Sequence, residues 1–330
     1  MPLVSIIVPV YNTEDFIAAT LESLLAQTHT DIEILCINDG SKDSSGTILE
    51  DFAKRDNRIK YFQQENSGPA RARNVGLDNA TGQYVMFCDS DDRYEPDMIA
   101  VMLDNITDLD VVMCNSFSAE ERYAFPFPQG EYVINAAIRS NINVFLWNKL
   151  FRKDIIDHYN IRFPDGLKAD DNLFVYQYLA CAKTIACVDK KLYHYIVRNN
   201  SITQQYNSLN VKLNDVLDKI DIMGIFYNFL VERDLWEDNK ESFLHIFDTE
   251  LLFAWVSVGD AWTDTFFEHL KKATEKSKDH FTDHDIQKII SCVHNGDNTG
   301  AINMLDNLSS QKPYTKSRRR YLGYNNSSST

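Results

Sequence analysis

Through the first third of the chain, short β-branched runs alternate with amphipathic stretches. This rhythm predicts βαβ units around a mostly parallel sheet, an α/β fold. Strands are expected over residues 4–8, 32–37, 59–62, 84–87 and 111–113. Between them Phe16, Leu21, Leu24 and Leu25 recur at helical spacing, as do Ile48, Leu49 and Phe52, and then residues 70–77. Residues 114–204 are less regular: an aromatic, proline-containing run at 123–128, then residues 147–151, and Asp170-Asp171 leading into a helix expected over 173–182. After Tyr206 the pattern turns helical, with apolar residues at helical spacing over 213–230, 242–256, 265–273, 286–293 and 302–308. The expected organisation is an α/β domain over 1–205, with halves 1–113 and 114–205, then a helical module over 206–311. A tail over 312–330, basic at Lys316, Arg318, Arg319 and Arg320 and then rich in Asn and Ser, is expected to be disordered.

In doubly wound sheets ligands bind beyond the carboxyl ends of the strands, and the polar residues of this chain cluster there. Tyr11 and Asn12 follow the first strand, residues 38–41 the second, residues 66–68 the third and residues 89–92 the fourth. Composition narrows the ligand. A chain of 330 residues with 44% hydrophobic content can bury a full core, and a net charge of −15 argues against a nucleic-acid partner, which needs Lys and Arg to neutralise phosphates. An anionic ligand would need locally placed cations or a metal. The six cysteines are scattered, four of them in or beside apolar runs, and read as buried reduced thiols. The chain opens directly into a strand with no leader pattern, and no run reaches the length that spans a bilayer, so a cytoplasmic location is expected.

Asp89-Ser90-Asp91-Asp92 carries the sharpest chemistry, because adjacent carboxylates become tolerable together where water or a cation sits between them. Oxygen-only ligands at this spacing suit Mg²⁺ or Mn²⁺; the plainer reading is an acidic turn capping the next helix. Asp-x-Asp also recurs at residues 108–110 and 283–285, so the pattern alone is weak. At the second rim position, Asp39 suits either the imide N–H of uracil or an ordinary turn. The run Ser67-Gly68-Pro69-Ala70-Arg71-Ala72-Arg73 opens a helix, and helix N-termini and arginines both favour phosphate.

Taken in order, SIIVPVYN, INDGSKDSS and NSGPARARNVGLDNATGQYVMFCDSDD over residues 3–92 resemble the inverting glycosyltransferases of family two, which adopt the GT-A (Rossmann-like) fold. The resemblance implies a nucleoside-diphosphate sugar donor, with a UDP-sugar suggested by Asp39. It implies that Pro9, Tyr11 and Asp39 contact the nucleotide, with Asn12, Ser67, Arg71, Arg73, Asp89 and Ser90 beside it. Asp89 and Asp91 are implied as ligands of Mn²⁺ or Mg²⁺. The match continues more loosely through residues 147–151, Asp170-Asp171 and residues 193–203. Relatives carry Glu-Asp where this chain has Asp170-Asp171, and the second acid, Asp171, is implied as the general base. His194 is a candidate to complete the metal shell, Arg198 to grip the diphosphate, and Trp147, Lys149 and Asp170 to meet the acceptor. The implied acceptor is a glycan or lipid-linked glycan of a bacterial surface polysaccharide, lipopolysaccharide or glycoconjugate, leaving open peripheral membrane contact and homo-oligomers. Two alternatives remain: a sugar-phosphate nucleotidyltransferase, which would carry a Gly-rich triphosphate loop where Tyr11-Asn12 stands, and a non-catalytic nucleotide-sugar binder, which would not need Asp171.

Overall fold

The computed structural model describes residues 1–117, 128–197, 213–257, 263–281 and 284–311. Arg198 and the basic tail lie outside the described residues. The chain divides into two compact units, residues 1–166 with 170–196, and residues 167–169 with 197–330.

Unit 1 follows the order β1 (Val4–Val10), α1 (Ile17–Leu25), β2 (Ile32–Asp39), α2 (Ser45–Arg55), β3 (Ile59–Gln64), α3 (Pro69–Asn79), β4 (Tyr84–Phe87), β5 (Arg93–Tyr94), α4 (Met98–Asp104), β6 (Val111–Phe117), β7 (Gly130–Val133), α5 (Ala136–Asn141), β8 (Lys149–Arg152), α6 (Lys153–His158), α7 (Asp170–Cys181) and β9 (Thr184–His194). The strands form one sheet in the order β3-β2-β1-β4-β8-β6-β9-β5, with β7 paired to β9. The first four in space are parallel. Antiparallel pairing enters where β8 inserts between β4 and β6. Strand β1 lies in the middle of the parallel set, and its Val4, Ile6, Ile7 and Val8 have no exposed surface, as expected of a strand covered on both faces.

Helix α3 shows how closely the layers approach. A Cβ placed on Gly76 would fall 2.4 Å from Cγ2 of Ile7, so only glycine lets this helix lie against β1. At its other end, Gly68 takes φ of 89°, outside the range favoured by other residues, and delivers the chain to Pro69 at the first helical position.

All five strands expected in the first third are present, most of them longer than the hydrophobic runs, and β4 matches residues 84–87. The helix start expected over residues 94–97 falls at its far end, with Asp97 as the N-cap of α4, because Arg93 and Tyr94 pair with His194 and Tyr193 of β9. Among the described residues no cysteine is bonded to another.

Unit 2 is helical where described: α8 (Leu213–Glu232), α9 (Trp236–Ser257), α10 (Thr263–Thr274), a 3₁₀ turn (Lys278–His280), α11 (His284–Asn295) and α12 (Asn298–Gln311). Its core includes an aromatic group in which Trp236 stands edge-on to Tyr227 and Phe243, while Phe247 packs on Phe281. Among the described residues no helix is long and apolar enough to cross a membrane.

Candidate active site

The carboxyl end of β4 runs straight into the acidic turn, closed by the Asp92 N–H donating to the Asp89 carbonyl at 3.1 Å. Thr20 of α1 fixes it from one side, its hydroxyl donating to the Ser90 carbonyl at 3.1 Å. Tyr193 of β9 fixes it from the other, donating to Asp92 Oδ2 at 2.6 Å and accepting from the Asp89 N–H at 3.4 Å. Asp92 is 1% exposed and also accepts from the Ile196 N–H at 2.7 Å. Burial, and then the charges of Asp89 and Asp91, push its carboxyl up to about 8, against a modest pull downward from these two hydrogen bonds. Asp89 and Asp91 remain partly exposed. Two solvent-facing carboxylates backed by a third form the oxygen-only, charge-crowded donor set that a hard divalent cation relieves, so the turn fits Mg²⁺ or Mn²⁺.

Opposite this turn, α3 turns Arg73 inward, leaving its side chain 9% exposed. Its Nη1 donates to Asp170 Oδ2 at 2.8 Å and lies 2.9 Å from Asp171 Oδ1, while Nη2 lies 3.5 Å from Asp89 Oδ1. One guanidinium therefore meets three carboxylates, two from the start of α7 and one from the acidic turn. The Arg73 plane sits over Phe163, with Cζ 5.5 Å from the ring centre. Phe163 in turn stacks on Phe174 of α7 at 4.4 Å. Asn74, the next residue on α3, holds this wall by exchanging two hydrogen bonds with the Phe163 backbone, at 2.9 and 3.0 Å.

Asp170 and Asp171 open α7, where the helix dipole favours negative charge. The Asp171 side chain is 37% exposed, yet its Oδ1 is shut away from solvent and makes no aligned hydrogen bond. Burial pushes the Asp171 carboxyl up to about 7; Arg73 and Lys149 pull it down, while Asp170 and Asp89 push it further up.

The remaining rim is built from backbone-directed side chains. Asp39, 4% exposed, accepts from the Ser67 and Gly68 N–H groups, each at 2.8 Å, and from the Gln64 side chain at 2.7 Å. It thus braces the loop entering α3. Asn12, at φ of 51°, accepts from the Lys42 N–H at 2.7 Å and joins the first two rim loops. A cavity of about 380 Å³ opens beside them, lined by residues 12–16 with Lys42 and Asp43. Pro9 pairs with Ile37 at the end of β1, and Tyr11 is 47% exposed. Arg71 points outward, 60% exposed and 3.9 Å from Asp165.

Two expected site residues, Lys149 and Trp147, are buried away from open space, and a third, His194, is engaged by Glu95 and Phe117. Lys149 has no exposed surface, and its ammonium donates to the Asn143 carbonyl and side chain, the Phe145 carbonyl and the Asn148 side chain, at 2.6–2.9 Å. Burial lowers its pKa to about 7, but four oxygens around one nitrogen favour the charged form, and its work is to tie down residues 143–148. Trp147, 5% exposed, stacks between Phe145 at 5.0 Å and Tyr193 at 4.4 Å. His194 directs Nε2 to the Glu95 carboxylate and stacks on Phe117 at 4.3 Å. Among the described residues no group of three or more His, Cys, Asp or Glu side chains is assembled as a metal cage.

Sequence reasoning passed over Tyr193 and Asn74 as site-builders. Strand alternation would have turned Tyr193 and Tyr195 to one face of β9 and His194 to the other, but only once β9 was recognised. Asn74 carries no such signal.

Against known proteins, the Glycosyl transferase family 2 model matches residues 5–164. EpsH of Bacillus subtilis (strain 168), described as a glycosyltransferase, is 37% identical over 219 residues, which cover 62% of this chain and 64% of EpsH. The chain therefore matches somewhat less than two thirds of that relative's length. Glycosyltransferase GlyG of Streptococcus pneumoniae serotype 4 is 31% identical over 220 residues, 61% of this chain and 72% of GlyG. Among solved structures, S. aureus TarS 1–349 in complex with UDP-GlcNAc superposes with a TM-score of 0.73 at 21% identity, over 95% of this chain and 93% of TarS. The mannosyltransferase PcManGT of Pyrobaculum calidifontis, in complex with GDP-Man and Mn²⁺, gives 0.53 at 15% identity, over 94% and 88%. The shared architecture is the GT-A fold, and with a family model matching residues 5–164 and GlyG 31% identical over 72% of its length, the chain belongs to glycosyl transferase family 2.

Proposed function

We propose that this chain moves a sugar from a nucleoside-diphosphate sugar, a UDP-sugar, to a hydroxyl of a glycan acceptor, with inversion at the anomeric carbon. The observation that carries the reading is the placement of Asp171. A carboxylate whose pKa is raised to about 7 stands across Arg73 from the acidic turn at the end of β4. A general base works best when its pKa lies near the working pH, and a positioned base contributes typically about 10²–10⁴-fold.

In this scheme Asp171 accepts the proton of the acceptor hydroxyl as its oxygen attacks the anomeric carbon from the face opposite the diphosphate. The carbon–diphosphate bond breaks, the nucleoside diphosphate leaves, and configuration inverts in a single displacement. Asp89 and Asp91 are the residues that would hold a divalent cation, which supplies Lewis-acid stabilisation of the departing diphosphate, worth several kcal/mol. The exposed Arg71 stands at the first turn of α3, where backbone N–H groups and a cation both suit phosphate. Asp39, by fixing the loop before α3, holds that helix start in place. A UDP donor is supported by the likeness to TarS, whose structure was solved with UDP-GlcNAc, and a divalent cation by PcManGT, solved with Mn²⁺. An acceptor in a bacterial surface glycan is the family's expectation carried over.

The test is thermal stabilisation of the whole chain by a panel of UDP-, GDP- and dTDP-sugars, with and without Mn²⁺, since a ligand of the folded state raises its melting temperature. A UDP-sugar that stabilises only with Mn²⁺, and whose transfer product has the opposite anomeric configuration by NMR, is the expected result. Stabilisation by no sugar nucleotide, or a product of retained configuration, would overturn the proposal.

A further inference from the structure

We propose that Arg73 is a positioning residue, not a phosphate ligand: anchored by Asp170, it holds the Asp171 carboxylate and the Asp89 end of the acidic turn in fixed relation. The inference rests on the transfer reaction proposed above for what the arrangement is for, although the arrangement itself stands on geometry. Both terminal nitrogens of the guanidinium are already engaged, Nη1 by Asp170 and Asp171 at 2.8 and 2.9 Å and Nη2 by Asp89 at 3.5 Å. Its flat face is covered on one side by Phe163. Nε has no hydrogen-bond partner but is shut away from solvent, so the guanidinium has no open fork to offer a diphosphate. Arg71, two residues earlier and 60% exposed, does.

The geometry also separates the two acids of α7. Asp170 is 5% exposed and makes the aligned hydrogen bond to Arg73, so it faces the guanidinium and not the solvent. Asp171 is more exposed and lacks that alignment, leaving its carboxylate oriented but not consumed. An arginine is suited to this task because its planar fork can serve two carboxylates from one set of bond angles, which a lysine ammonium cannot fix. Burying such a pair rarely adds stability, because desolvating the charges costs about as much as their attraction returns. Its place next to a reacting carboxylate points to orientation and charge control. The groups that face Asp171 are Arg73 from α3, Asp170 from its own helix, Asp89 from the turn after β4, and Lys149 from β8. Arg73 and Lys149 favour its charged form, and the two acids oppose it.

The test follows the Asp171 carboxyl by ¹³C NMR in the full-length protein labelled at aspartate, with chelator present, its resonance identified by its loss in Asp171→Asn. UDP affinity is measured alongside by calorimetry with Mn²⁺. Arg73→Met is expected to raise the Asp171 titration midpoint by at least about one pH unit, since an opposite charge at this range lowers a carboxyl by about 1–3 units. Asp170→Asn, close in shape to the native residue, is expected to lower it. Arg73→Lys, which keeps the charge and guards against a folding defect in Arg73→Met, is expected to raise it less. UDP affinity stays within about threefold in all three. An Asp171 midpoint that moves in none of them, or UDP binding weakened about tenfold or more by both Arg73 variants, overturns the positioning role. Failure of the transfer reading looks different: no sugar nucleotide binds the wild-type chain, or Asp171→Asn transfers sugar normally, while the titration still decides the role of Arg73.

Discussion

Unit 1 buries acids at both ends of its parallel strands, and the two ends treat them in opposite ways. At the amino end, Glu33 of β2 lies with its side chain 4% exposed. It accepts from the Ser5 hydroxyl and Lys60 at 2.5 Å each, the Thr81 N–H at 2.6 Å, the Thr81 hydroxyl at 3.0 Å and the Gly82 N–H at 3.2 Å. Burial alone would push its carboxyl up, but Lys60 and these donors outweigh that and hold it below the usual range. At the carboxyl end, Asp92 and Asp171 are raised to about 8 and about 7, because burial is reinforced there by neighbouring acids and donors are few. Saturating a buried carboxylate with donors makes a staple. Leaving it short of donors and beside other acids makes a group that can take up a proton or welcome a cation, at some cost to stability.

The sharpest way to break this contrast is to neutralise one acid from each end. Asp171→Asn should cut transfer by about 10²–10⁴-fold, the range for loss of a positioned base. Its melting temperature should not fall, because Arg73 keeps Asp170 and Asp89 as partners. An active Asp171→Asn would remove the base from the mechanism. In the wild type, kcat/KM should fall about tenfold per pH unit below about 7, as Asp171 takes up the proton it needs to lack. A flat profile between pH 5 and 7 would assign catalysis to another group.

At the other end, Glu33→Ala should leave turnover per folded molecule unchanged but cost about 2–4 kcal/mol. It strands the Ser5 hydroxyl proton and the Thr81 N–H, while the Gly82 N–H keeps the Ser5 oxygen at 2.9 Å, and unmade buried hydrogen bonds carry penalties of about 1–3 kcal/mol each. Urea unfolding measures the loss directly. A loss below about 1 kcal/mol would mean that Glu33 is no staple.

How much of this contrast is written in the sequence depends on what holds each acid. The parallel strands were legible because β1, β2 and β4 are buried on both faces and therefore read as continuous apolar runs. The acidic turn and the α3 start were legible because glycine, proline and adjacent aspartates carry their geometry in their chemistry. Strands β5, β7, β8 and β9 were not, since β5 has two residues and β7 four, and β9 alternates buried and exposed positions irregularly. With β9 unseen, Tyr193 could not be placed beside Asp92, nor His194 beside Glu95. Arg73 and Arg71 look alike in sequence; only the 97-residue separation closed by the Arg73–Asp170 bond tells them apart. Glu33, a charged residue within an apolar strand, carried a signal that reading the strand as plain core passed over.

The two ends should also give opposite pH slopes in stability. Glu33 has a folded-state pKa below its unfolded value, so its contribution is present above about pH 4.3 and is lost as pH falls through the folded value. Asp92 and Asp171 have folded-state values above the unfolded aspartate value of about 3.9, so the folded state binds more protons and stability declines as pH rises from about 4 through 7–8. With chelator present, the melting temperature should therefore peak on the acid side, near about pH 5, and Mn²⁺ should flatten the alkaline decline. A maximum at pH 8 without metal would reverse the assignment.

The smallest expected effect is also the most exacting for the contrast. Asp92→Asn removes one charge from the crowded turn while keeping an oxygen for the Ile196 N–H and placing an amide opposite the Tyr193 oxygen. At pH 8 in chelator, relief of repulsion from Asp89 and Asp91 should outweigh the loss of the short Tyr193 bond by on the order of 1 kcal/mol, raising the melting temperature by about 2–4 °C. At pH 5, where Asp92 is protonated and hence neutral already, the variant should gain nothing and lose a little from the altered bond to Tyr193. The difference between the two pH values separates charge relief from any general effect of the substitution. A variant destabilised more at pH 8 than at pH 5 would mean that Asp92 is a satisfied carboxylate like Glu33, and the two ends of the sheet would then handle their buried acids alike.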